Sequence, residues 1–403
     1  MNIKANLLLL TAILMLNCKS NKSGEEVRET PKTFTLNANI KGLESDYLVY
    51  YEKDDKDPSG YHRDTLWIKD QKFTFKDSIE GYKLYYIGVP EALRSYKVKV
   101  GDKEYQASVK AHLSRLWFIG FPGAKISYNG KIVDYMVDAY PSDSLGINND
   151  LALINSQIFP LLNTMDSISV AISTSDLNEE EVKSLYERRD KLGKEVTVLK
   201  TDFIKSHPKS IAASYVFNDA YYRRYFTHEE AKALFNGFDS STLDGTPFYE
   251  EAKERISAVE NTGIGMSAPE LTTLNTLNGK EFKLSELKGN YVLLDYWGTW
   301  CGPCMAEIPK IKEYSQKYAN KNFTVVGVNQ GDTDKKWRDI IEKENYDWTH
   351  IRSTNETNLL IPFNVNSFPT KIVLDPKGKI IYSSKNPEKI DMYQMLDDIF
   401  STK

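Results

Sequence analysis

Cysteine is scarce in this chain: 403 residues hold three, Cys18, Cys301 and Cys304. That excludes a fold stapled by several disulfides. Histidine is scarce too, and His62, His112, His207, His228 and His350 stand without ligand spacing. A structural zinc site needs four ligands, so no metal is expected. No block of Lys or Arg occurs and the net charge is −4, which leaves nucleic acid without an electrostatic footprint. Beyond the N-terminus no apolar run approaches the roughly 20 residues of a membrane helix. Internal repeats and low-complexity segments are also lacking.

Turning to what is there, residues 1–17 carry Lys4, an uncharged and mainly apolar stretch from Leu7 to Leu16, and then Asn17. The stretch is too short to span a bilayer and fits the h-region of an export signal. Cys18 follows, opening the polar tether of residues 18–32. This arrangement resembles a bacterial lipoprotein signal, although Asn17 stands where a smaller residue is usual and Met15 where leucine is usual. The resemblance implies that Cys18 becomes the lipidated first residue, anchored to a membrane and facing the periplasm. A plain secretory signal is the competing reading, and either would take the chain out of the cytoplasm.

Three sections follow. Residues 33–140 alternate apolar and polar in short runs such as Phe34 to Ile40, Tyr47 to Tyr51 and Lys72 to Phe75. Period two with aromatic and β-branched residues predicts an antiparallel β-domain, a small sandwich. Residues 141–261 form a helical region. There Val182, Leu185, Arg189, Leu192, Val196, Leu199 and Phe203 recur at steps of three and four, which marks the packing stripe of one long helix. Thr227-His228-Glu229-Glu230 reads as a capping box with a solvated His228, and Thr246-Pro247 opens another helix. Residues 262–403 alternate strands with helices. The order is a hairpin at Asn278-Gly279, a strand to Trp297, a helix to about Tyr318, a strand from Phe323 and a helix from Asp334. A short strand near Ile351, a terminal hairpin and a last helix from Pro387 complete an α/β layer with a mixed sheet.

The chemistry lies at Trp300-Cys301-Gly302-Pro303-Cys304, between an apolar strand and a helix. Two thiols spaced in this way can close a small disulfide. A thiol at a helix start meets unpaired N–H groups and the positive end of the dipole. Both favour thiolate, the form that attacks disulfides, and can lower a thiol pKa from about 8.5 toward about 7. Half of a zinc knuckle is the rival reading, and it lacks the other ligands. The redox pair therefore serves as its own cofactor, with none added.

Ala268-Pro269, Leu284 to Gly289, Trp297 to Cys304, Glu307, Pro309, Phe368-Pro369-Thr370 and Asp375-Pro376-Lys377-Gly378 together resemble envelope thioredoxin-fold proteins of the TlpA/ResA type. The upstream β-rich stretch from Asp64 to Phe75 resembles segments that precede this domain in envelope lipoproteins, for which the family gives no biochemical role. The resemblance implies a thiol-disulfide oxidoreductase acting on protein thiols and disulfides, fed by a membrane thiol electron donor. Apocytochrome c maturation and general envelope thiol maintenance are its possible uses. It casts Cys301 as the exposed nucleophile and Cys304 as the resolving thiol. Gly302 and Pro303 allow the tight turn, and the Gly-Pro pair leans toward a reducing potential, near about −270 mV in thioredoxin.

Asp295 matches the buried aspartate that helps deprotonate the resolving thiol, and Glu307 matches a glutamate beside the disulfide. An aspartate on a solvated edge and an ordinary surface glutamate are the respective alternatives. Pro369 is the expected cis-proline that presents backbone to a client. Phe368 is bulkier than usual there and would narrow client choice, while Trp300 would shape client contact. Disulfide isomerase or oxidase activity is the runner-up, and a binding lipoprotein with an accessory thioredoxin domain is a further alternative. A peroxiredoxin is disfavoured, because Leu294 and Gly298 hold the positions of its Pro and Thr.

Overall fold

A computed structural model describes residues 32–54, 60–100, 103–109, 112–354, 356–386 and 390–401. The signal (residues 1–17), Cys18 and all but the last residue of the tether lie outside them. No helix among the described residues is long and apolar enough to cross a membrane.

The first section contains β1 (Thr33–Lys41), β2 (Tyr47–Lys53), β3 (Tyr61–Trp67), β4 (Lys72–Ser78), β5 (Lys83–Gly88), β6 (Arg94–Val100), β7 (Lys103–Val109), β8 (Arg115–Gly120), β9 (Lys125–Val133) and β10 (Met136–Ser142). Alternation in β1 sends Phe34, Leu36, Ala38 and Ile40 into the core. β1 is internal to a four-stranded sheet of order β10-β9-β1-β4, and the pairs β2–β3, β5–β8 and β6–β7 form ribbons beside it. Phe34 sits at the centre of the core, its ring 4.9 Å from Tyr85, 5.5 Å from Phe75 and 5.7 Å from Phe118. One pairing departs from the antiparallel expectation: β1 and β9 run parallel, Leu36 opposite Ile126. The chain between them, carrying β2 to β8, provides the long crossover a parallel pair requires.

The helical region comprises α1 (Ile147–Thr174), α2 (Glu179–Ser206), α3 (Ile211–Tyr222), α4 (His228–Phe235), α5 (Ser240–Leu243) and α6 (Pro247–Asn261). The stripe predicted for one helix runs along α2, with Val196 and Phe203 fully buried and Leu185, Arg189 and Leu192 half-buried. α3 is the innermost helix, with Ala212, Ala213, Phe217 and Ala220 shielded from solvent. Thr227 and Glu230 close the capping box of α4. His228 is not solvated as its N1 position suggested. It is half-buried, and its Nδ1 lies 2.8 Å from the Tyr221 hydroxyl, because the α3–α4 turn folds α4 back on α3.

The last section adds β11 (Thr272–Thr273), β12 (Phe282–Lys283), β13 (Tyr291–Trp297), α7 (Gly302–Lys317), β14 (Phe323–Gln330), α8 (Asp334–Glu344), β15 (Thr349–Ser353), β16 (Thr370–Leu374), β17 (Ile380–Ser383) and α9 (Met392–Ser401). The five-stranded sheet has the order β15-β14-β13-β16-β17. β13, β14 and β15 are parallel, whereas β16 and β17 run antiparallel. Val292, Leu294 and Tyr296 face Leu271, Phe282, Leu359 and Phe363. On the opposite face, Leu293 meets Ile311 and Tyr314 of α7 and Leu396 and Phe400 of α9. The final helix begins at Met392, where the Asp391 carboxylate caps the Tyr393 N–H at 2.9 Å, and Pro387, the expected start, lies outside the described residues.

Hydrogen bonds from both upstream regions reach this section. Lys53 Nζ of β2 donates to the Gly331 carbonyl at 2.6 Å, and Arg224 Nη2 donates to Asn366 Oδ1 at 3.2 Å. Both reach loops at the C-terminal ends of the parallel strands, where open α/β sheets place their sites.

Candidate active site

β13 is central in the sheet, so its end delivers the loop Gly298-Thr299-Trp300 to the start of α7. Cys301 is the N-cap of α7, and Gly302 and Pro303 form its first turn, where proline loses no needed N–H. Cys301 and Cys304 are joined by a disulfide, with Cα atoms 5.2 Å apart. The Cys304 N–H points at Cys301 Sγ, 3.2 Å away, so an orphan donor of the helix end already faces the sulfur where thiolate would form. The expected exposure of Cys301 is not seen in this oxidised form: it is 5% exposed and Cys304 2%. Trp297, Ile308, Trp337 and Phe368 pack around the pair.

The loop before Cys301 is held by Asp332. Its carboxylate accepts from the Thr299 N–H (2.8 Å), the Thr299 hydroxyl (2.5 Å) and the Asn329 amide (2.8 Å). Trp300 is 54% exposed, yet it is fixed: Nε1 donates to the Gln330 carbonyl at 2.8 Å. Its ring stands edge-on to Phe368 with centroids 5.1 Å apart. There is no room for a side chain beneath it. A Cβ on Gly298 or Gly331 would lie 2.4 or 2.5 Å from Trp300 Nε1, and Gly331 has a φ of +89°. The Phe368–Pro369 peptide is cis, and Thr370 next to it pairs with Tyr296 of β13. Phe368 and Pro369 therefore form the rim opposite Trp300.

Asp295 lies between Leu293 and Trp297 on the α7 face of β13, 2% exposed. In the register it stands opposite Lys371 of β16, whose Nζ is 3.6 Å from Asp295 Oδ1 and 2.7 Å from Glu307 Oε2. Tyr393 of α9 donates its hydroxyl to Glu307 Oε1 at 2.9 Å. Burial pushes the Asp295 carboxyl up; Lys371 opposes the rise and Glu307 reinforces it, leaving the group at about 6. Glu307 is one helical turn past Cys304 and about one-third exposed, so the network runs from the buried strand to the surface of α7. Asp295 and Glu307 are thus brought together through Lys371.

Lys371, Tyr393 and Asp332 were not singled out in the sequence. Lys371 did leave a signal: a lysine two residues after Pro369, inside the apolar strand Thr370 to Leu374, needs a buried partner. Asp332 and Tyr393 carried none.

A disulfide at a helix start, opposite a cis-proline on a mixed five-stranded sheet, defines a thioredoxin fold with a dithiol site. The Redoxin family model matches residues 264–398, and a domain of unknown function, DUF4369, matches residues 34–114. Thioredoxin-like protein YneN of Bacillus subtilis is 36% identical over 117 residues, 29% of this chain and 68% of that protein. Thiol-disulfide oxidoreductase ResA of Bacillus cereus is 30% identical over 158 residues, 39% of this chain and 90% of that protein. Among solved structures, the thioredoxin domain of a thiol-disulfide oxidoreductase from Bacteroides vulgatus is 27% identical. That match covers 34% of this chain and 97% of that one, with a TM-score of 0.31. The chain belongs to the ResA-like thiol-disulfide oxidoreductases of the thioredoxin family, with a DUF4369 domain at its N-terminal end.

Proposed function

We propose that this oxidoreductase reduces disulfides of polypeptide clients in the cell envelope, through a Cys301/Cys304 dithiol. The observation that carries the reading is the disulfide seated at the N-terminus of α7, with a buried carboxyl, pushed up to about 6, on the strand that leads into it. In the reduced enzyme the Cys301 thiolate attacks one sulfur of the client disulfide. That S–S bond breaks, one client sulfur leaves as thiolate, and a Cys301–client mixed disulfide forms. Cys304 then loses its proton to Asp295, and its thiolate attacks Cys301 Sγ. The Cys301–Cys304 bond closes, the second client sulfur leaves and takes up a proton, and two electrons have passed to the client.

A carboxyl at about 6 suits Asp295 to accept that proton near neutral pH. Lys371 holds Asp295 and Glu307 together, and Glu307 gives the proton a route toward solvent. Trp300, Gly302, Pro303, Phe368 and Pro369 form the surface a client strand meets. Restoring the dithiol requires an external donor, read as a membrane thiol protein. Anchoring through Cys18 on the periplasmic side rests on the likeness of residues 1–18 to a lipoprotein signal.

The test is trapping with Cys304→Ser, which leaves the mixed disulfide unresolved. Stalled adducts to Cys301 in envelope extracts are expected, and their absence would sink the catalytic reading. Redox titration separates direction: a value near about −270 mV fits a reductant, whereas one near about −120 mV fits an oxidant and refutes the reducing assignment.

A further inference from the structure

The β2–β3 ribbon has two faces, set by its register. Leu48, Tyr50 and Leu66 enter the core. The other face carries the cross-strand pairs Tyr47–Trp67, Val49–Thr65, Tyr51–Arg63 and Lys53–Tyr61. Trp67 is 71% exposed, and Tyr47 and Tyr51 about half. The Tyr47 and Trp67 rings meet at 5.6 Å, and the Arg63 guanidinium lies 5.5 Å over the Tyr51 ring. These aromatics hold one another in place, but their outer surfaces remain wet. Fixed aromatic surface of that kind marks recognition sites.

The ribbon is aimed at the disulfide. Lys53 Nζ donates to the carbonyl of Gly331, the glycine on which Trp300 rests. At the start of β3 a Cβ on Gly60 would lie 2.2 Å from Thr333 Cγ2, so the ribbon also abuts the cap of α8. Along this face the pairs step from Tyr47–Trp67 at the far end through Tyr51–Arg63 to Lys53, whose contact with Gly331 adjoins Trp300 and, across from it, Phe368. At about 3.3 Å per residue, the seven-residue strands make the ribbon roughly 20 Å long.

We infer that this face is a docking surface for an extended, apolar polypeptide segment flanking the client cysteine, and so gives the enzyme its preference for polypeptide over small disulfides. The inference rests on the reductase reading above. An extended segment is the occupant because the cis-proline rim presents backbone for a strand to pair with, and the ribbon leads to Trp300, opposite that rim. Its apolar character follows from the aromatic face, while Arg63 disfavours a basic segment.

The experiment uses the full chain, pre-reduced and freed of reductant, in single-turnover reactions. Insulin serves as the polypeptide disulfide and 5,5′-dithiobis(2-nitrobenzoate) as the small one. Trp67→Ala should slow insulin reduction about tenfold, as loss of an exposed aromatic anchor does, and leave the small disulfide within twofold. Equal loss on both substrates, or none on insulin, overturns the docking surface. Failure of the unsubstituted enzyme on both would remove the reductase reading and the inference with it. If sedimentation shows that Trp67→Ala abolishes a dimer while insulin reduction is unchanged, the face joins two copies instead, and the inference falls.

Discussion

Two buried lysines, in different regions, sit in clusters of nearly the same composition with opposite charge counts. Lys200 of α2 meets Asp219 at 2.7 Å, and Arg223 meets the same carboxylate at 2.7 Å: two cations share one anion. Lys371 meets Asp295 and Glu307, so one cation serves two anions. Burial pushes both aspartates up. At Asp219, Lys200 and Arg223 outweigh it and hold the carboxyl below its ordinary range; at Asp295 it wins and the group stands at about 6. Asp219, flanked by two cations, is held as the carboxylate, whereas Asp295, which shares its one cation with Glu307, is left able to take up a proton. Hence the helical cluster is a lock between α2 and α3, while the cluster behind the disulfide can exchange a proton near neutral pH.

Breaking the lock should have the largest effect on stability. Lys200→Met leaves Asp219 with Arg223 alone and should cost roughly 2–4 kcal/mol in urea unfolding, without changing thiol exchange per folded molecule. Lys371→Met should act in the opposite manner. With its cation gone Asp295 rises further, so resolution of the mixed disulfide slows about tenfold at pH 7 and its pH profile moves upward, as stopped-flow kinetics will read. Equal effects of the two substitutions on resolution would remove the distinction between lock and site.

Asp295→Asn sharpens the comparison through pH. The folded-state value, about 6, lies above the ordinary aspartate value of 3.8. The stability this group contributes is therefore present at acid pH and lost as pH rises through 6. Removing the carboxyl should make the variant more stable relative to the parent by roughly 2–3 kcal/mol at pH 8, and hardly at all at pH 4. Urea midpoints at the two pH values check this, and a pH-independent difference would contradict a raised Asp295. Tyr393→Phe should do least, about 1 kcal/mol, since it deletes one hydrogen bond to a carboxylate that keeps Lys371.

Legibility from sequence followed the range of the interactions. Trp297 to Cys304 is contiguous, and Phe368-Pro369 is a dipeptide whose cis bond belongs to the turn itself, so their placement could be read locally. Asp295 stood out as a lone carboxylate in an apolar strand. Lys371 left a signal of the same kind, but its pairing with Asp295 did not show, because that depends on a register between strands far apart in the chain. Asp332 folds onto Thr299 for the same reason, through a loop that reads as an ordinary turn. In the first section, alternation identifies buried faces but carries no strand direction. The parallel β1–β9 pair was thus invisible, whereas the β character of the region was not.

The seat of Trp300 links three positions that are distant in sequence. Gly298 and Gly331 leave no space for a Cβ beneath the indole. The indole is not the sole constraint on either glycine: a Cβ on residue 298 would also lie 2.6 Å from the Gln330 carbonyl oxygen, and residue 331 has a φ of +89°. Relatives that have lost the tryptophan should therefore keep both glycines, and the side chain at 300 alone should reshape the entrance to the disulfide.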